Sequence, residues 1–147
     1  MIAATADQSE GIAWITGDDT QTTLNGNTSI DYGTGQANTN AMMAQDGYTG
    51  GAAQVCNDYT NTETGTGVYA DWFLPSRDEL ELMYTNLHEQ TPSIGGFDDG
   101  SFSYYWSSSE YNSEYNATLA WLLKFSFGYR LNHLKTGNYR VRAVRYF

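Results

Sequence analysis

A single cysteine, Cys56, stands in 147 residues. It cannot form an internal disulfide, and no cysteine-based zinc site can be assembled around it. Beside Val55 and at helical spacing from its apolar neighbours, it reads as a small buried hydrophobe rather than a reactive thiol. Histidine is nearly as scarce: His88 and His133 are the only two, and neither lies beside a nucleophile in a recognisable catalytic arrangement. Seven basic residues stand against seventeen acids, which argues against a general nucleic-acid binder, because such a protein needs a basic face. No apolar run is long enough to span a membrane, so no membrane insertion is expected. The start of the chain also lacks the charged segment and apolar stretch of a signal peptide.

What is present is unevenly spread. From Tyr104 onward lie six of the seven basic residues (Lys124, Arg130, Lys135, Arg140, Arg142 and Arg145) with only Glu110 and Glu114, a formal +4 on a body of −14. In this tail Trp, Tyr, Phe and Leu are interleaved with Asn, Ser, His and Arg. Such a mixture suits a contact surface: aromatic rings supply rigid area at low entropic cost, and the polar side chains supply adaptable hydrogen bonds. Arg142 and Arg145 are expected to pair with acids of the body. The length suits one domain, residues 1–147, and the fifteen glycines with many Asn, Thr and Ser imply short strands and long loops.

Local signals place the elements. Gly11–Ile15 reads as a first strand, and residues 17–35 as a polar loop with turns at Asn25-Gly26 and Tyr32-Gly33. A helix opens near Gly35, and a second, Gly51–Tyr59, puts Ala52, Val55, Cys56 and Tyr59 on one face. Residues 60–67 read as a flexible insertion. The clearest signal is Asp71-Trp72-Phe73-Leu74-Pro75-Ser76-Arg77-Asp78-Glu79-Leu80. Ser76 and Glu79 there form a capping box, and Leu80, Met83, Tyr84 and Leu87 follow at helical spacing. Phe102–Ser107, Leu119–Phe127, Tyr129–Leu134 and Tyr139–Phe147 read as strands. Alternation in the second of these assigns Trp121, Leu123 and Phe125 to the core, and Leu122 and Lys124 to the other face. All four tryptophans, Trp14, Trp72, Trp106 and Trp121, read as scaffold.

The order of segments then becomes recognisable. GTGQANT at 33–39, DWFLPSRDELELMY at 71–84, IGGF at 94–97, YYWSSSEY at 104–111, AW at 120–121 and YRVRAVRYF at 139–147 occur in sequence. Together they resemble the family of Legionella collagen-like protein C-terminal domains. The resemblance implies an α+β, C-type lectin-like fold of the formylglycine-generating-enzyme variant, with short antiparallel strands, two helices and long loops. It also implies a place at a cell surface, outside the cell or on a virion, as part of a larger protein. Relatives include adhesins and the variable proteins of diversity-generating retroelements, in which residues at adenine-containing codons of a C-terminal segment are substituted. The tail at 104–147 is similar to such a segment, with WSSSE, AW and VRAVR as fixed scaffold. Lys124 departs from that pattern, since adenine changes alone do not lead from an Asn codon to Lys. Lys135 departs likewise and is assigned to scaffold.

The resemblance therefore predicts a ligand-binding, non-catalytic domain whose site comprises Tyr115, Asn116, Leu122, Lys124, Phe127, Tyr129, Leu131, Asn132, His133 and Leu134. The expected partner is a protein or glycan ligand or receptor, not nucleic acid; no cofactor or metal is expected, and oligomerisation is open. The alternative is a structural or subunit-contact domain of a surface or virion assembly. A remoter one is a formylglycine-generating-type enzyme, which a single cysteine does not equip. Asp18-Asp19 and Asp98-Asp99-Gly100 could offer oxygen ligands to calcium, but neither has EF-hand spacing and both read as solvated turns.

Overall fold

The computed structural model describes residues 1–60, 68–111 and 116–147. Of the expected insertion at 60–67, residues 61–67 lie outside the described residues, as does Tyr115. In chain order the elements are β1 (Ile2–Ala3), β2 (Ser9–Ile12), β3 (Ile15–Gly17), α1 (Gly35–Met43), β4 (Tyr48–Gly51), α2 (Ala52–Asn57), α3 (Arg77–Met83), β5 (Tyr104–Glu110), β6 (Leu119–Lys124), β7 (Tyr129–Leu134), β8 (Tyr139–Val141) and β9 (Val144–Arg145). One five-stranded sheet runs β2-β8-β5-β6-β7, and two small ribbons pair β1 with β9 and β3 with β4. The fold is α+β. The β5–β8 pair is parallel, a departure from the antiparallel strands expected, and the three α-helices are those that the local signals placed, one more than the resemblance implied.

Three other expectations are corrected. Gly11–Ile15 is not one strand: Trp14 turns inward between β2 and β3, its backbone N–H donating to Lys135 O at 2.9 Å and its indole N–H to Ser107 O at 2.7 Å. Tyr139–Phe147 likewise divides into β8 and β9, which join different sheets around the buried Arg142. Past Met83 the α-helix gives way to one π-helical turn, Tyr84–His88. The capping box, by contrast, forms as read. Ser76 Oγ accepts the Glu79 N–H at 3.3 Å, and the Glu79 carboxylate accepts the Ser76 N–H at 2.7 Å. The buried Glu79 also accepts from the Gly33 N–H at 3.0 Å and from the Tyr146 hydroxyl, so one carboxylate joins helix, loop and C-terminus.

The centre of the main sheet is covered on both faces, and successive strand residues enter opposite clusters. Leu122 enters one apolar cluster with Trp14, Met42, Cys56, Trp106 and Val141. Its neighbour Leu123 enters a second, with Phe73, Leu80, Met83, Tyr105 and Phe125, built against α3. Charged tail residues are tied down as scaffold. Lys135 and Glu110 form a fully buried ion pair at 2.5 Å, and Glu110 also accepts the backbone N–H groups of Asn25 and Gly26. Burial draws the Lys135 ammonium below its ordinary pKa, with Glu110 opposing. Arg142 pairs with Asp7 at 2.7 Å and donates to the carbonyls of Ala4, Gly95 and Gly96; Arg145 pairs with Asp71 at 2.6 Å. The pairing expected of these two arginines is thus present.

Between β6 and β7 the chain turns through Gly128, whose φ of +67° favours glycine. A Cβ at this position would also stand 2.5 Å from the Tyr84 ring. Gly128→Ala should therefore destabilise the fold by more than about 1 kcal/mol, read as a lower denaturation midpoint at unchanged slope.

Candidate binding surface

All six residues of β7 are exposed, although the strand is fully paired to β6 on its inner side. The reason is positional. Both core clusters end at β6, and β7 extends past them as the outer edge of the five-stranded sheet. Register decides which side chains meet. Cα partners share a face, and the pairs are Lys124 with Tyr129, Leu122 with Leu131, and Ala120 with His133. The opposite face carries Arg130, Asn132 and Leu134 beside Leu123, Trp121 and Leu119.

On the first face the rings make a continuous cluster. Phe127 stacks on Tyr129 with centroids 5.6 Å apart and planes at 23°; the two are 59% and 61% exposed. Lys124 Nζ lies 5.0 Å from the Phe127 centroid and 5.4 Å from that of Tyr104. Tyr104 meets Tyr139 edge-on at 5.4 Å, and Tyr139 meets His133 at 5.1 Å. A groove of about 490 Å³ runs between Phe102, Tyr104, Leu131, His133 and Tyr139, with Leu122 at its floor. Burial raises the Tyr139 phenol above its ordinary pKa, and Tyr104 adds to this, so the hydroxyl stays protonated.

The predicted site residues divide accordingly. Lys124, Phe127, Tyr129, Leu131 and His133 come together on this face. Asn132 and Leu134 are exposed, and register assigns them to the reverse of β7, although Asn132 also borders the groove. Asn116 lies beyond the other end of β6, and its Oδ1 accepts the Thr118 N–H at 3.1 Å. Five residues of strand, about 17 Å, separate that end from Lys124. Leu122 must be corrected: it is 1% exposed and belongs to the core, because its face of β6 is covered there by the cluster around Trp106. Phe102, 85% exposed, Tyr104 and Tyr139 belong to the patch, and nothing in their local sequence distinguishes them from scaffold.

Trp121 is a second correction. Leu123 and Phe125 are buried as expected, but Trp121 is only half-buried. It lies past the N-terminus of α3, with Tyr111 edge-on at 5.1 Å and the Arg77 guanidinium 5.2 Å over its ring. These residues with Thr28, Ser29 and Glu110 border a separate groove of about 410 Å³.

Six of the seven basic side chains are spent on ion pairs within the domain: Arg77–Asp78, Arg130–Glu81, Lys135–Glu110, Arg140–Asp7, Arg142–Asp7 and Arg145–Asp71. Among the described residues Lys124 makes no such pair, and the ring cluster is its only polarised neighbourhood. The surface therefore offers aromatic faces, aliphatic edges, phenol donors and one ammonium. These groups bind. Elsewhere Cys56 is fully buried and its thiol pKa is raised by desolvation. No group of three or more His, Cys, Asp or Glu side chains able to hold a metal occurs among the described residues. Nor is any helix among them long and apolar enough to cross a membrane.

No curated protein matches this chain in sequence. A family model does: the one described as the Lcl C-terminal domain matches residues 3–145, from β1 to the end of β9. The chain belongs to the Lcl C-terminal domain family.

Proposed function

We propose that this is a non-catalytic recognition domain of C-type lectin-like architecture, displayed at a cell or virion surface, which grips its partner with the ring cluster around Lys124. On this reading the exposed residues of the β6–β7 hairpin are the diversified positions of a retroelement variable protein. The observation that carries it is the combination of a strand exposed along its whole length with a fully packed scaffold behind it. Patches of exposed rings on one face generally serve an interaction. Tyr129, Leu131 and Phe127 contribute little to either core cluster, so their side chains can change without loss of fold; surface substitutions usually stay within about 0.5 kcal/mol.

The test randomises Phe127, Tyr129, Leu131, Asn132, His133 and Leu134 in a surface-displayed library. Most members should remain folded, read as resistance to protease, and panning against an unrelated protein should yield binders. A library in which most members are protease-sensitive would show that these side chains support the core, and the reading would fail. The rival reading, burial of the patch between copies of the chain in an assembly, has the open edge of β7 in its favour. It predicts a mass that rises with concentration. Repulsion between copies at a formal charge of −10 each opposes it.

A further inference from the structure

Resting on that reading, we infer that the surface takes an extended segment of a protein partner, which adds as a strand to the open edge of β7 and delivers a glutamate carboxylate to Lys124. Two independent observations support this. β7 ends the sheet, so the outward backbone groups of alternate residues between Tyr129 and Leu134 have no strand to pair with among the described residues, and a polypeptide strand supplies matching groups in register. Lys124 is the one basic side chain without an acidic partner among the described residues, and it sits amid rings that lower local hydration.

Geometry selects the acid. An added strand stands two strand spacings, about 10 Å, from β6. Tyr129 stands between Lys124 and that strand on the same face, and the Lys124 ammonium lies over Tyr104 and Phe127, so the lysine must swing outward and glutamate, one methylene longer than aspartate, suits the reach better. With the Glu opposite Tyr129, the same-face residue two positions along would meet Leu131 and the one four positions along the groove beside His133, so apolar side chains are favoured there. A polyanionic glycan is a poorer fit, because it needs several free cations and six of the seven are already paired. A second copy is also poorer: β7 itself contains Arg130 and His133 and no carboxylate, so pairing two copies along this edge would leave Lys124 unneutralised.

The experiment pans a phage-displayed random dodecapeptide library on the intact domain, with sulfated dextran as a separate probe. Enriched peptides should carry Glu between alternating apolar residues. Changing that Glu to Gln in the peptide, or making Lys124→Gln in the domain, should each weaken binding at least tenfold, and the two together no further. Alternate amides of β7 should become protected from hydrogen exchange when the peptide is bound. The peptide change keeps the test decisive even where Lys124→Gln lowers stability. Peptides with no preference for Glu, unprotected β7 amides, binding of sulfated dextran alone, or no enriched peptide at all would overturn the inference. Loss of peptide binding in Phe127→Ala and Tyr129→Ala but not in Lys124→Gln would leave the recognition surface standing and remove only the role of Lys124.

Discussion

Cutting Phe125 back to alanine should cost about 3–5 kcal/mol, the largest single effect expected in this domain. Phe125 is fully buried and stands where the second core cluster is densest in rings. Its centroid lies 4.4 Å from that of Tyr105, 4.8 Å from Phe97, 5.3 Å from His88 and 5.6 Å from Tyr84. These neighbours come from β5, the Gly95–Gly96 loop and the π-helical turn, so they cannot collapse together to fill the space. A domain of this size has a total stability of only about 5–15 kcal/mol, and the loss would consume a large part of it. Denaturant titration followed by circular dichroism reads the change directly. A cost under about 1 kcal/mol would mean that the cluster is loosely packed.

Lys135→Met should be nearly as damaging, by about 3–5 kcal/mol, because it strands a buried carboxylate. Glu110 and Lys135 are both fully buried, and the ammonium also donates to Thr23 O at 3.0 Å while lying over the Trp14 ring. The pair clamps the loop at Thr23–Gly26 to the end of β7, a contact spanning most of the chain. Removing both charges together, as Lys135→Met with Glu110→Leu, should recover much of the loss, since well-packed apolar replacements of buried ion pairs are often neutral or better. A double variant no more stable than the single one would show that the backbone N–H groups of Asn25 and Gly26 need the carboxylate independently of the lysine.

Local chemistry was legible in the sequence wherever a few neighbouring residues suffice to cause the structure. Ser76 and Glu79 satisfy helix-terminal donors three residues apart, and they do so as read. Tyr129–Leu134 is a strand with those bounds, set off by the glycine turn before it. Alternation correctly assigned Leu123 and Phe125 to the core. Charge pairing expected of Arg142 and Arg145 also holds, because an arginine in a largely acidic domain is seldom without a carboxylate.

The same alternation failed at Leu122 and Trp121, and for one reason. Periodicity tells which residues share a face, but not whether that face is covered. Here both faces of β6 are covered along part of their length: Leu122 lies under the Trp106 cluster, while Trp121 emerges beyond the end of α3. The exposed ring patch was foreshadowed only as a composition, in the mixture of rings and polar side chains after Tyr104. Which of those residues meet was set by register, which joins Lys124 to Tyr129, and by chain crossings that bring in Tyr104 and Tyr139. By itself the sequence determined the short-range elements and the family, because each depends on neighbouring residues or on motif order. Only the tertiary structure decided that β7 is an edge strand, and that Lys124 alone among the basic residues lacks an acidic partner among the described residues. Both are properties of long-range packing, in which strands and charges distant in sequence either meet or do not.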